Sequence, residues 1–149
     1  MPFTNSNDYL DGRKPPVFPA GGEVVAVRFP IALVAADLDA NDCGAVAVLP
    51  AGCVPVGLVY DSDDLDTNAS PTISAAVGPV NAGATDLSST WASGITASQG
   101  GTSANVALSS AAMRLAASGS DTRVGIKFTA AAATKAAGEV GLTLLYRAV

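Results

Sequence analysis

Arg123-Val-Gly-Ile-Lys-Phe-Thr129 and, after a short connection, Glu139-Val-Gly-Leu-Thr-Leu-Leu-Tyr-Arg147 decide the fold class. In the first stretch Val124, Ile126 and Phe128 alternate with Gly125 and Lys127. In the second, Val140, Leu142, Leu144 and Tyr146 alternate with Gly141 and Thr143. A period of two collects the apolar side chains on one face of a pleated strand, whereas a helix would scatter them around its circumference. The alanine-rich run between them, residues 130–137, has the best helix propensity in the chain. It is too short to be stable alone, so a tight connection or a single turn is expected there.

The same alternation recurs upstream. From Gly22, Val25, Val27, Phe29 and Ile31 face one way and Val24, Ala26, Arg28 and Pro30 the other, which predicts a long first strand. After the turn cluster 37–42, Gly44 to Leu49 and Val54 to Tyr60 read as two strands turning at Leu49-Pro50-Ala51-Gly52, a hairpin. Pro71 to Val80 alternates again. Residues 81–105 are the least regular, with one helical turn possible at Asp86–Trp91, and Ala104–Leu108 and Ala112–Ala116 read as short strands. About eight strands separated by turn clusters predict an all-β fold, an antiparallel β-sandwich of jelly-roll-like type, with a small OB-like barrel as the alternative.

Residues 1–22 stand apart, with Pro2, Pro15, Pro16, Pro19 and Gly21-Gly22 and no apolar periodicity. This predicts an extended N-terminal arm (1–22) ahead of a sandwich domain (23–149), ordered where another surface satisfies its backbone. Its side chains Phe3, Tyr9, Leu10, Arg13, Val17 and Phe18, together with Trp91 and Arg114, are the candidate contact residues. Trp91, Phe29 and Phe128 are read first as core anchors, as large aromatics usually are, ahead of any contact role.

The chain has 149 residues, 8 Lys+Arg against 13 Asp+Glu and no histidine, for a formal net charge of −5. Without imidazole, Ser-His and Cys-His hydrolases and His-based metal sites are excluded. An acidic chain lacks the cationic footprint of a nucleic-acid binder. No nucleophile–base pair, phosphate loop or set of metal ligands is readable, so neither catalysis nor a cofactor is expected. Asp64, Asp66 and Asn68 have the spacing that opens an EF-hand, but Ala69 and Ala75 stand at its glycine and bidentate glutamate positions. The Asp61–Asn68 loop is therefore expected to be a turn capped by its own Asx side chains.

The start of the chain lacks the basic and apolar regions of an export signal. Cys43–Tyr60 carries no charge, but its prolines and glycines suit strands and not a membrane-spanning helix. Cys43 and Cys53 are expected to be free and buried, because the hairpin register sets Cys43 near Leu58. Alanine supplies 29 of the residues behind the 49 % hydrophobic fraction. Such small side chains bury less area each, at roughly 25 cal/mol per Å², which hints at stabilisation by assembly.

The run from Leu49-Pro-Ala-Gly52 through Asp63-Asp-Leu-Asp66 to Ser70-Pro-Thr-Ile73, with the segment 121–147, resembles small structural proteins of tailed-bacteriophage heads. The resemblance spans about residues 22–147. Within that group it points to capsid cement (decoration) proteins. It implies a virion protein on the capsid exterior, often a homotrimer, whose partner is the major capsid protein and which needs no active site. A tail, neck or receptor-binding component is the alternative. On this reading the arm would lie across a neighbour and the loop 81–105 would touch the capsid or close a trimer.

Overall fold

A computed structural model describes residues 2–149. Eight strands form two antiparallel sheets: β1 (Val24–Leu33), β2 (Cys43–Leu49), β3 (Cys53–Ser62), β4 (Ser74–Pro79), β5 (Ala92–Ile95), β6 (Ser103–Val106), β7 (Thr122–Ala130) and β8 (Gly138–Ala148). One sheet has the order β1-β8-β3-β6, the other β2-β7-β4-β5. Each strand of the first half pairs with its counterpart from the second, β1 with β8, β2 with β7, β3 with β6 and β4 with β5. That nesting is a jelly roll: one long antiparallel hairpin, folded at its middle and rolled into two layers.

The core between the layers is supplied by the alternating residues. Val27, Phe29, Ile31 and Leu33 of β1, Val124, Ile126 and Phe128 of β7, and Val140, Leu142, Leu144 and Tyr146 of β8 are all buried. Trp91 joins this core at 2 % exposure, with its indole N–H unpartnered within it. The Ala130–Ala137 run is a tight connection without a helix.

Four local expectations are corrected. β2 and β3 do not form a hairpin: the turn at Pro50–Gly52 carries the chain from one sheet to the other, and β2 pairs with β7 while β3 pairs with β8 and β6. The two cysteines are free and buried as expected, but the reason is that they stand in different sheets, Cys43 opposite Lys127 and Cys53 opposite Ala148. Residues 112–116 are not a strand. A single helical turn, α1 (Ser110–Met113), is capped by the Ser109 hydroxyl, which accepts from the Ala112 N–H, and the remaining strand is β5, inside the irregular stretch. Asp86–Trp91 holds no helical turn.

Strand direction sorts the connections to two ends. β1 runs from Val24 opposite Arg147 to Leu33 opposite Gly138. The end at Leu33, here the upper end, carries connections 34–42, 63–73, 96–102 and 131–137. The lower end carries residues 17–23, the turn 50–52, connection 107–121, Val149 and the ends of connection 80–91, whose middle folds back over the outer face of its sheet. The upper connections hold six aspartates and one lysine, which equals the whole formal net charge of −5. No helix among the described residues is long and apolar enough to cross a membrane.

Candidate functional site

The arm does not project from the molecule. Residues 3–10 run antiparallel to β1 along the slot between the free edges of β1 and β2. Thr4 donates through both its N–H (3.0 Å) and its hydroxyl (2.8 Å) to Asp37 Oδ1, while Asp37 Oδ2 accepts from the Val34 N–H. The Asn5 amide donates to the Ala32 carbonyl, and the Asn7 amide to the carbonyls of Pro30 and Val46, one on each sheet edge. Phe3 packs against Phe128 at 5.9 Å between ring centroids and Tyr9 meets Phe29 edge-on at 4.5 Å. Lower down, the buried Tyr146 hydroxyl donates to the Val17 carbonyl. Burial raises the Tyr146 pKa to about 12.

Glycine makes this seating possible. A Cβ on Gly44 would collide with the Phe3 ring. The loop 80–90 is applied to the outer face of its own sheet in the same way: a Cβ on Gly78 would strike the Ser89 carbonyl. The Ser88 N–H donates to the Pro79 carbonyl at 2.7 Å, and Asp86 pairs with Lys127 at 2.8 Å. Every residue of β2 is consequently buried on both faces. Arm residues 3–10 and loop residues 80–90 are thus straps on their own sandwich, while Val17 and Phe18 of the arm stay exposed. An edge strand with its carbonyls capped by side-chain amides is also closed to pairing with another chain.

The candidate contact residues therefore divide. Phe3, Tyr9 and Leu10 are half-buried against the body, and the Leu10 carbonyl accepts from Arg123. Arg13 is exposed and paired with Asp8 and Asp11 within the arm's own turn. Trp91 lies in the core and offers no surface. Val17, Phe18 and Arg114 are exposed, and all three lie at the lower end.

The acidic loop is built around Asp66, which is 1 % exposed. Its Oδ1 accepts from the N–H groups of Thr134 (2.9 Å) and Asn68 (3.4 Å). Its Oδ2 accepts from Thr72 (2.7 Å), Ala133 (2.9 Å) and Ile73 (3.2 Å). Desolvation favours the neutral acid, but the backbone donors outweigh it and draw the pKa down to about 2. Asp64, Asp66 and Asn68 each accept from the N–H two residues on, a ladder of Asx turns as the spacing suggested. With its lone pairs directed at amides, Asp66 joins connection 63–73 to 131–137 and stands as a structural anion. Among the described residues no group of three or more His, Cys, Asp or Glu is placed to hold a metal.

The outer face of the β1-β8-β3-β6 sheet carries the other charge cluster. Arg28 forks onto Asp61, Nε to Oδ1 at 3.1 Å and Nη2 to Oδ2 at 2.6 Å, and reaches Glu139 at 2.9 Å, tying β1, β3 and β8 together. The Asp61 hydrogen bonds, opposed by desolvation and aided by Glu139, hold its pKa above the ordinary arginine value. Beside it a groove of about 400 Å³ opens between the arm and β1, lined by Asn7, Tyr9, Lys14, Arg28 and Glu139.

The two-layer jelly roll, with strapped edges and acids spent on its own backbone, belongs to the architectural class used by viral capsid and lectin domains. No family model and no curated protein matches the chain. Among solved structures, a chain from the capsid of Ralstonia phage GP4 superposes with a TM-score of 0.80 at 29 % identity, covering 97 % of each chain. A chain from the Cyanophage Pam1 capsid asymmetric unit gives a TM-score of 0.70 at 32 % identity over 100 % of both. This chain belongs to that family of phage head structural proteins.

Proposed function

We propose that this protein is a capsid cement, or decoration, protein: a homotrimer seated on the exterior of the head, bound to the major capsid protein and stabilising the lattice without catalysis. The observation that carries the reading is the end-to-end correspondence with chains from two phage capsids. It is supported by a sandwich whose arm and loop pack onto its own sheets and whose buried acids are spent on its own backbone. Many modest contacts, repeated around a symmetric shell, give strong binding through avidity and do not require a pocket.

The test is to add purified protein to expanded heads that lack it. Saturable co-sedimentation, density on the outer surface in electron micrographs and a higher temperature of head rupture are the expected results. Labelled protein found only on tails or necks would refute the proposal.

A further inference from the structure

We propose that the lower end of the sandwich is the seat on the shell and that its occupant is a capsid-subunit surface bearing carboxylates around an apolar patch. This rests on the cement reading and adds the orientation and chemistry of the contact. Among the described residues, all six large apolar side chains left exposed, Val17, Phe18, Val24, Met113, Leu115 and Val149, belong to this end. Phe18, Val149 and the segment 115–118 gather around one turn. The Phe18 ring reaches to 4.0 Å from where a Cβ of Gly52 would stand, the Val149 N–H donates to the Gly52 carbonyl, and the Gly52 N–H donates to Ser118. Leu115 and Ser118 border a hollow of about 130 Å³ with Leu49, Cys53 and Pro55. An apolar cluster on an otherwise polar surface marks an interaction site.

Charge names the partner. Of the eight cations, Arg13, Arg28, Lys127 and Lys135 form ion pairs. Lys14 lies over the Tyr9 ring, and Arg123 donates to the Leu10 carbonyl. Arg114 and Arg147 have no partner among the described residues. Arg114 adjoins Leu115 and Arg147 stands opposite Val24. The neighbouring acids Asp121 and Glu23 accept instead from the backbone N–H groups of Ala51 and Ala20. Two unclaimed guanidiniums beside an apolar patch call for carboxylates. The same acidic surface repels the upper end, so the field of the molecule selects which end lands. A second copy fits poorly: lower end against lower end would appose the arginines, and lower against upper would propagate without closing.

The probe is expanded heads lacking the protein, with occupancy read by co-sedimentation and assembly state by sedimentation velocity. Phe18→Asp/Leu115→Asp, and separately Arg114→Glu/Arg147→Glu, are expected to lower affinity for heads at least tenfold while keeping the wild-type melting profile and assembly state. Ala69→Asp/Ser70→Asp, which adds at the upper end the same two negative charges as the aspartate pair, is expected to change affinity less than threefold. Unchanged occupancy of both lower-end variants would overturn the proposal, as would a change in their assembly state, which would make the patch a contact between copies. Heads that fail to bind the wild-type protein would remove the cement reading itself.

Discussion

Replacing Asp66 by asparagine should cost this fold more than any other single polar substitution. The amide is isosteric with the carboxylate but presents one donor face. Turned one way, its NH₂ confronts the N–H groups of Thr72, Ile73 and Ala133; turned the other, those of Thr134 and Asn68. The better orientation still loses one short and one long charge-assisted bond and leaves buried donors facing each other. At about 1.5–3 kcal/mol per hydrogen bond to a charged group, the expected loss is about 3–5 kcal/mol. That is a large part of a typical domain's stability and corresponds to a fall in Tm of roughly 6–20 °C. Urea unfolding followed by the fluorescence of the single, buried Trp91 measures it; the midpoint should fall with the slope unchanged. The pH dependence provides a second arm. Because the folded pKa is depressed to about 2, the stabilisation is complete above the ordinary aspartate range near pH 4. It is lost as pH falls through the folded value. The gap between wild type and variant should therefore narrow from pH 4 to pH 2. A variant within 1 kcal/mol of wild type, or a gap that is constant across this range, would refute the assignment.

Three further expectations concern the straps, the thiols and the outer face. Deleting residues 1–20 should destabilise the sandwich by at least about 3 kcal/mol, since it removes two aromatic anchors and the amide caps on both sheet edges; an unchanged urea midpoint would show that the arm is dispensable. Burial, aided by Asp86, raises the Cys43 pKa to about 11, and burial also raises that of Cys53, so a thiol reagent at pH 8 should label neither in folded protein and both in urea. Arg28→Ala should cost only about 1 kcal/mol, because the cluster is open to solvent, and the cost should shrink in 1 M salt; a loss independent of salt would contradict an electrostatic tie.

The elements legible in the sequence are those with one face in the core and one outside, β1, β7 and β8, where alternation survives. β2 lost that signature because both its faces are covered, by the core and by the protein's own arm and loop. The turn at Pro50–Gly52 announced a reversal of the chain, but a hairpin and an arch between two sheets use the same turn residues. β5, Ala92-Ser-Gly-Ile95, is too short and too poor in β-branched residues to register, whereas Met113, at the end of α1, and Leu115, just beyond it, imitated a strand by alternating while exposed. Asp66 was visible only as one acid among several. What sets it apart is a pair of N–H groups nearly seventy residues further on. The arm's role was hidden for the same reason, since its anchors at Phe29, Asp37, Val46 and Phe128 are neighbours only once both sheets exist. The lower-end patch needed the fold as well: Phe18, Leu115 and Val149 converge through the Gly52 turn.

The register that sets Val24 beside Arg147 also imposes an order of events during synthesis. The strap leaves the ribosome first, yet its slot lies between β1 and β2, each held by a late partner, β8 and β7. Until those strands emerge the nascent chain carries Phe3 without Phe128 to pack on, and β1 and β2 lack the partners that hold their slot together. Pairing of such distant segments is slow, commonly on the millisecond-to-second scale. The arm, made before both strands of its slot, can therefore lock fully only once β7 and β8 are in place.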